Sequence, residues 1–138
     1  MALRSEDAAI VQDFRKLRLK LPPSGVLVTS PDPTVYTPTA LQGVILNAYQ
    51  AGVPILGFSD AFRRAGAAAS LFTTAEQFGH QAAVWIMGWK AGQHRTRKIL
   101  EPTDFEISIN PTVMRAMAIT VSDPDRLKDD YIRKQRGD

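Results

Sequence analysis

The sequence predicts an α/β fold, a parallel sheet layered between helices, and three observations predict it. Gly25-Val26-Leu27-Val28-Thr29-Ser30 and Val53-Pro54-Ile55-Leu56-Gly57-Phe58 are short, nearly continuous apolar runs of the kind that form buried strands. Between them, Leu41, Val44, Ile45 and Ala48 recur at helical spacing. Strand, helix and strand in immediate succession make a right-handed parallel crossover the default connection.

Taken in order, Ser5 is placed to cap a first helix. Its opening turn holds Glu6 and Asp7 and its last turns hold Arg15, Lys16, Arg18 and Lys20, the charge order that the helix dipole favours. Ile10, Phe14, Leu17 and Leu21 share one face of it, and Pro22-Pro23-Ser24-Gly25 stops it. The Gly25–Ser30 run follows and is expected to be buried on both faces. Thr37 before Pro38 is a helix start, and Gly52 ends that helix ahead of the second buried run. Gly66 to Phe72 is a small-residue segment of weak strand character.

Thr73 or Thr74 opens another helix, with Glu76 and Gln77 at capping-box spacing, and it runs to about Ala91 before Gly92. Gln93 to Lys98 is a polar, basic loop. Asp104-Phe105-Glu106-Ile107-Ser108-Ile109-Asn110 alternates strictly, as an edge strand does, and Asn110-Pro111 starts a short helix carrying Val113, Met114 and Met117. From Ser122 the chain is charged, a marginal helix or a frayed tail.

Composition narrows the function classes. The chain has 138 residues, an apolar fraction of 44% and a charged fraction of 22%, which suits one ordinary globular unit. Without cysteine there is no disulfide staple, thiolate nucleophile or cysteine-held zinc. The longest apolar stretch, Ala82 to Gly88, is far short of the ~20 residues of a membrane helix. Met1-Ala2-Leu3-Arg4-Ser5-Glu6-Asp7 turns acidic where an export signal would be apolar, so a chain that stays in the cytoplasm or belongs to a longer one is expected. The net charge of +3 is not interleaved with aromatics, which argues against nucleic acid as a partner. No glycine-rich phosphate loop and no credible metal-ligand set occurs, so no cofactor is implied.

In α/β sheets ligands sit beyond the carboxyl ends of the strands. Those ends are Thr29-Ser30-Pro31-Asp32-Pro33-Thr34 and Phe58-Ser59-Asp60, and polar residues cluster there. The stretch from Gly52 through Phe58-Ser59-Asp60 to Ala67 resembles the ABC-transporter substrate-binding family that includes tryptophan- and tyrosine-type binding proteins. Pro31-Asp32-Pro33-Thr34, Ala68-Ala69-Ser70-Leu71-Phe72, Glu76-Gln77-Phe78-Gly79-His80-Gln81-Ala82-Ala83 and Phe105-Glu106-Ile107-Ser108-Ile109-Asn110 agree with it in order. The resemblance covers most of residues 5–118 but only the C-terminal portion of a typical member.

The resemblance implies a three-layer αβα, Rossmann-like lobe of the periplasmic-binding-protein type, incomplete relative to a two-lobe parent. By it, residues 5–60 and 103–120 belong to one lobe and residues 66–100 to the other; residues 121–138, outside the resemblance, are read from their charge as a tail. It also implies a non-enzymatic role, holding a small amino-acid-like solute in an interlobe cleft for an ABC permease in the periplasm or cell envelope. Outside the parent, Phe72, Phe78, Trp85 and Trp89 need cover, which a swapped or intertwined homodimer would supply.

Asp32 and Asp60 can accept hydrogen bonds from a ligand ammonium, or can cap turns as aspartate does in most loops. Thr34 and Ser59 can hold a carboxylate, helped by the positive end of the helix that starts at Thr37. Tyr36 and Phe58 can form apolar walls, with core packing the plainer role for Phe58. Gly57-Phe58-Ser59-Asp60-Ala61 also resembles the nucleophile elbow of serine hydrolases, but the acids and histidines downstream are badly placed for a triad: Asp60 adjoins the serine, Glu76 and His80 are neighbours on one helix, His94 lies in a basic loop, and Asp104 follows both histidines. A ligand-sensing input module on the same fold is the remaining alternative, with the tail as a linker to a signalling partner.

Overall fold

A computed structural model describes residues 5–18, 25–93, 99–121 and 123–136. The expected cap by the Ser5 side chain, the stop at Pro22-Pro23-Ser24, Leu21 of the first apolar face and most of the basic loop before Ile99 lie outside the described residues. The elements are α1 (Ser5–Arg18), β1 (Leu27–Val28), α2 (Pro38–Gln50), β2 (Ile55–Gly57), α3 (Asp60–Ala65), β3 (Ala69–Phe72), α4 (Ala75–Lys90), β4 (Glu106–Ile109), α5 (Pro111–Ala116) and α6 (Pro124–Arg136). Contacts divide the chain into two units, one of Met1–Leu71 with Ile107–Asp138, the other of Phe72–Glu106.

The fold is α/β, with the Rossmann-like layering expected, and its sheet is open and four-stranded in the order β1-β2-β3-β4. β1 pairs parallel with β2, Leu27 opposite Ile55 and Val28 opposite Leu56. β2 pairs parallel with β3, Leu56 opposite Ala69 and Gly57 opposite Ser70. Because side chains alternate along a strand, Leu27, Ile55, Gly57 and Ser70 share one sheet face and Val28, Leu56 and Ala69 the other.

The first of these faces is the core. Ile55 packs with Val44, Ile45 and Ala48 of α2, Phe62 of α3 and Ala67, while Ile10, Phe14, Leu27, Leu41 and Phe58 close the edges. α1 lies on α2 at close range, since a Cβ on Gly43 would run into Val11. Across the same contact Arg15 Nε donates to Asn47 Oδ1 at 2.9 Å.

The second face corrects an expectation. β1 is not buried on both sides: Val28 is 65% and Val26 52% exposed. Its position at the sheet edge leaves one flank without a neighbouring strand, and the face carrying Val28 is only partly covered along Leu56 and Ala69. A continuous apolar run is thus compatible with a strand that is buried on one face alone.

α3 had no expected counterpart, and β3, read as a weak strand, is an interior strand of the sheet. Small residues explain both. Ala67, Ala68 and Ser70 are buried with little side-chain bulk, and Gly66 at φ 119° ends α3 in the left-handed region that favours glycine.

In the unit of Phe72–Glu106, Thr74 caps α4 through a reciprocal capping box: Gln77 N donates to Thr74 Oγ1 at 3.1 Å and Thr74 N donates to Gln77 Oε1 at 2.9 Å. The residue after β4 behaves as expected, Asn110 Oδ1 accepting from Val113 N at 3.2 Å to cap α5. No helix among the described residues is long and apolar enough to cross a membrane.

Candidate functional site

The strand-end residues all fall in the first unit, where β1 and β2 run parallel and Thr29 N donates to Leu56 O at 3.0 Å. Both strands therefore deliver their following loops to one edge of the sheet. After β1, the chain turns at Pro33–Val35, and Tyr36 N donates to Asp32 O at 3.0 Å. After β2, Phe58 and Ser59 lead straight into α3.

Asp32 organises the first loop. Its Oδ1 accepts from Thr34 N at 2.9 Å and from Thr34 Oγ1 at 2.6 Å. The hydroxyl bond first, then the backbone bonds, hold the Asp32 carboxyl below its ordinary value, so it is ionised at neutral pH. Thr34 is thus committed to Asp32, which leaves its hydroxyl oxygen able to accept but not donate a second bond.

Tyr36 and Phe58 meet as an apolar wall, their ring centroids 6.2 Å apart. Sequence reasoning missed the residue that joins them: Phe62 of α3 is 4% exposed, 5.2 Å from Tyr36 edge-on and 4.7 Å from Phe58. Phe14 of α1 extends the cluster to Tyr36 at 6.4 Å. Burial pushes the Tyr36 phenol above its ordinary value, and the negative charge of Asp32 adds to the effect. An open groove of about 380 Å³ beside this cluster is lined by Ile10, Asp13, Phe14 and Val35.

Asp60 is engaged within the chain. Its Oδ1 accepts from Arg63 Nε at 2.7 Å and Ser108 Oγ at 3.1 Å, and Arg64 Nε stands 3.5 Å from Oδ2. The Arg63 hydrogen bond, then that of Ser108 and the two arginine charges, hold the carboxyl below its ordinary value despite partial burial. Arg63, Arg64 and Ser108 were not among the candidates. Spacing of three and four residues on a helix is the signal that pairs Asp60 with both arginines once α3 is recognised. Ser108, far off in the sequence, carries no such signal.

Ser59 precedes α3 with φ −153° and ψ 158°, extended backbone, and its side chain does not cap the helix. A nucleophile elbow needs a strained turn at the serine, which this conformation lacks. The positive end of α2 also has an occupant from the chain: Thr37 Oγ1 donates to Oδ1 of buried Asp7 at 2.7 Å while accepting from Ala40 N at 3.2 Å. Among the described residues no cluster of three or more His, Cys, Asp or Glu could hold a metal ion.

No family model and no curated protein matches the chain. The fold is similar to a crystal structure of a conserved domain protein from Vibrio cholerae O1 biovar eltor str. N16961, with a TM-score of 0.59 and 24% sequence identity. The alignment covers 92% of this chain and 42% of that one, so this chain spans less than half the length of its structural neighbour. The likeness extends to the α/β fold alone.

Proposed function

We propose that the chain is the ligand-binding portion of a solute-binding protein that serves an ABC-type permease, holding a small zwitterion such as an amino acid without reacting with it. The observation that supports this reading most is the pairing of an accessible, ionised Asp32 with the aromatic wall of Tyr36 and Phe58 at the carboxyl ends of parallel strands. A carboxylate whose hydrogen bonds come from one short loop is held in place, yet its remaining lone pairs are open to an ammonium. The apolar wall gives a side chain somewhere to lie.

The two aspartates take different parts in this reading. Asp32 forms no ion pair among the described residues and receives the ammonium. Asp60, already neutralised by Arg63 and Arg64, holds the arginines at the strand end, where the exposed Arg64 can reach a ligand carboxylate. Ser59 adds a hydroxyl beside them.

Thermal unfolding in the presence of each of the standard amino acids tests the proposal. A ligand at ~100 times its Kd stabilises a folded chain by ~2.7 kcal/mol, a rise of several degrees in Tm. At least one amino acid is expected to produce such a rise. If none does, and equilibrium dialysis also detects no binding at millimolar concentration, the proposal is wrong.

A further inference from the structure

Helix α4 turns a face carrying two glutamines toward its own unit and leaves a stripe of apolar residues exposed. Gln77, Gln81 and Trp85 are half-buried and Gly88 is buried, positions that recur at helical spacing on one face. That face is tied down by polar bonds: Gln77 Nε2 donates to Glu106 Oε1 at 2.6 Å, Gln81 Nε2 to Glu101 O at 2.7 Å, and Thr103 N to Gln81 Oε1 at 3.2 Å. The opposite face carries Gly79, Ala82, Ala83 and Ile86, all exposed, and a Cβ on Gly79 would meet nothing within 4 Å. Phe78 and Trp89 flank this stripe on one side and Met87 on the other, 51%, 57% and 70% exposed. An exposed surface helix normally has the reverse arrangement.

We infer that this face is the interface of a homodimer in which α4 packs antiparallel on α4 of a second copy, about a two-fold axis between Ala82 and Ala83. The helix runs from Ala75 to Lys90, so its midpoint falls between those two alanines. An antiparallel pair therefore brings its smallest side chains to the crossing, where helix axes approach most closely. On either side, Ile86 of one copy faces the gap at Gly79 of the other. Along one flank Phe78 meets Trp89 of the second copy, an aromatic contact repeated by symmetry.

The charges select the direction. Glu76 lies in the first turn on the Met87 side of the stripe, and Lys90 lies in the last turn, in line with Gly79 and Ile86. Antiparallel packing sets Glu76 beside Lys90 of the second copy at both ends, and the helix dipoles oppose favourably as well. A parallel pair would put Glu76 against Glu76 and Lys90 against Lys90.

Light scattering on the intact chain is expected to give twice the 15.2 kDa chain mass at micromolar concentration. Ile86→Lys, which places a charge within the apolar seam opposite Gly79 of the second copy, should weaken association at least tenfold with an unchanged far-UV spectrum, whereas Val28→Lys should not. The chain has no cysteine, so a single Ala83→Cys reports proximity cleanly. It should form an interchain disulfide under mild oxidation at least tenfold faster than Ala61→Cys on the exposed side of α3. A monomer at all concentrations, a dimer lost in Val28→Lys but kept in Ile86→Lys, or equal oxidation rates for the two cysteine variants would overturn the inference.

Discussion

The Thr37 hydroxyl donates to Asp7 at 2.7 Å and accepts from Ala40 N at 3.2 Å, so one side chain caps α2 and fastens α1 to it. Asp7 is buried, and the positive end of α2 offsets its charge. Thr37→Ala removes the cap and strips a buried carboxylate of its donor at once. A loss of about 2 kcal/mol is expected from urea unfolding, at the upper end of the range for caps. Asp7→Asn, which keeps an accepting oxygen, should cost less than Thr37→Ala.

Gly57 and Ser70 face each other across β2 and β3, and substitutions there should move stability in opposite directions. A Cβ on Gly57 would collide with the Cβ of Phe62, so Gly57→Ala is expected to cost about 1–3 kcal/mol through overpacking. The Ser70 hydroxyl is fully buried without a hydrogen-bond partner among the described residues. Ser70→Ala removes that unsatisfied group and should be neutral or stabilising by about 1 kcal/mol. Chemical denaturation of both variants checks the pair.

The layering of strands and helices was legible because apolar runs and helical spacing report burial directly: the Thr37-Pro38 start, the Thr74 capping box and the Asn110 cap all stand where their residue types place them. What was not legible follows from the same logic. A small-residue strand such as β3 registers only weakly, and its interior place in the sheet is not visible from its own residues. The six residues of α3 are too few to show a period. The exposure of Val28 depends on what covers the sheet, which no pattern within β1 encodes. At the candidate site, residue types located Asp32, Tyr36 and Phe58, while the partners of Asp60 came from a helix that was not anticipated and from Ser108 on β4.

Asp60 makes stability depend on pH in a defined direction. Its folded-state pKa lies below the ordinary value of 3.8 because Arg63, Ser108 and Arg64 favour the charged form. The folded state therefore binds the proton more weakly than the unfolded state. The contribution is present above the unfolded pKa and is lost as pH falls through the folded one. Asp60→Asn should be less stable than wild type at pH 7, and the difference should shrink steadily below about pH 4. An equal difference at pH 7 and pH 2.5 would rule out the ionised pairing as its source.

Tyr36 sits between Phe14, Phe58 and Phe62. Tyr36→Phe preserves those ring contacts and should change stability by less than about 1 kcal/mol, whereas Tyr36→Ala should cost about 2–4 kcal/mol. Because burial raises the phenol pKa, the Tyr36 contribution is complete below the unfolded value near 10 and falls as pH rises through the folded one. Spectrophotometric titration at the tyrosinate band should show one group titrating late in wild type and absent from Tyr36→Phe.

Isothermal titration of the most stabilising amino acid into wild type, Asp32→Asn and Asp60→Asn tests the ligand-binding account most directly. Asp32→Asn is expected to weaken binding at least tenfold, the loss of one charge-assisted hydrogen bond, with folding unchanged, and Asp60→Asn to weaken it less. Binding that is unaffected by Asp32→Asn, or no heat and no Tm shift with any amino acid, would contradict it.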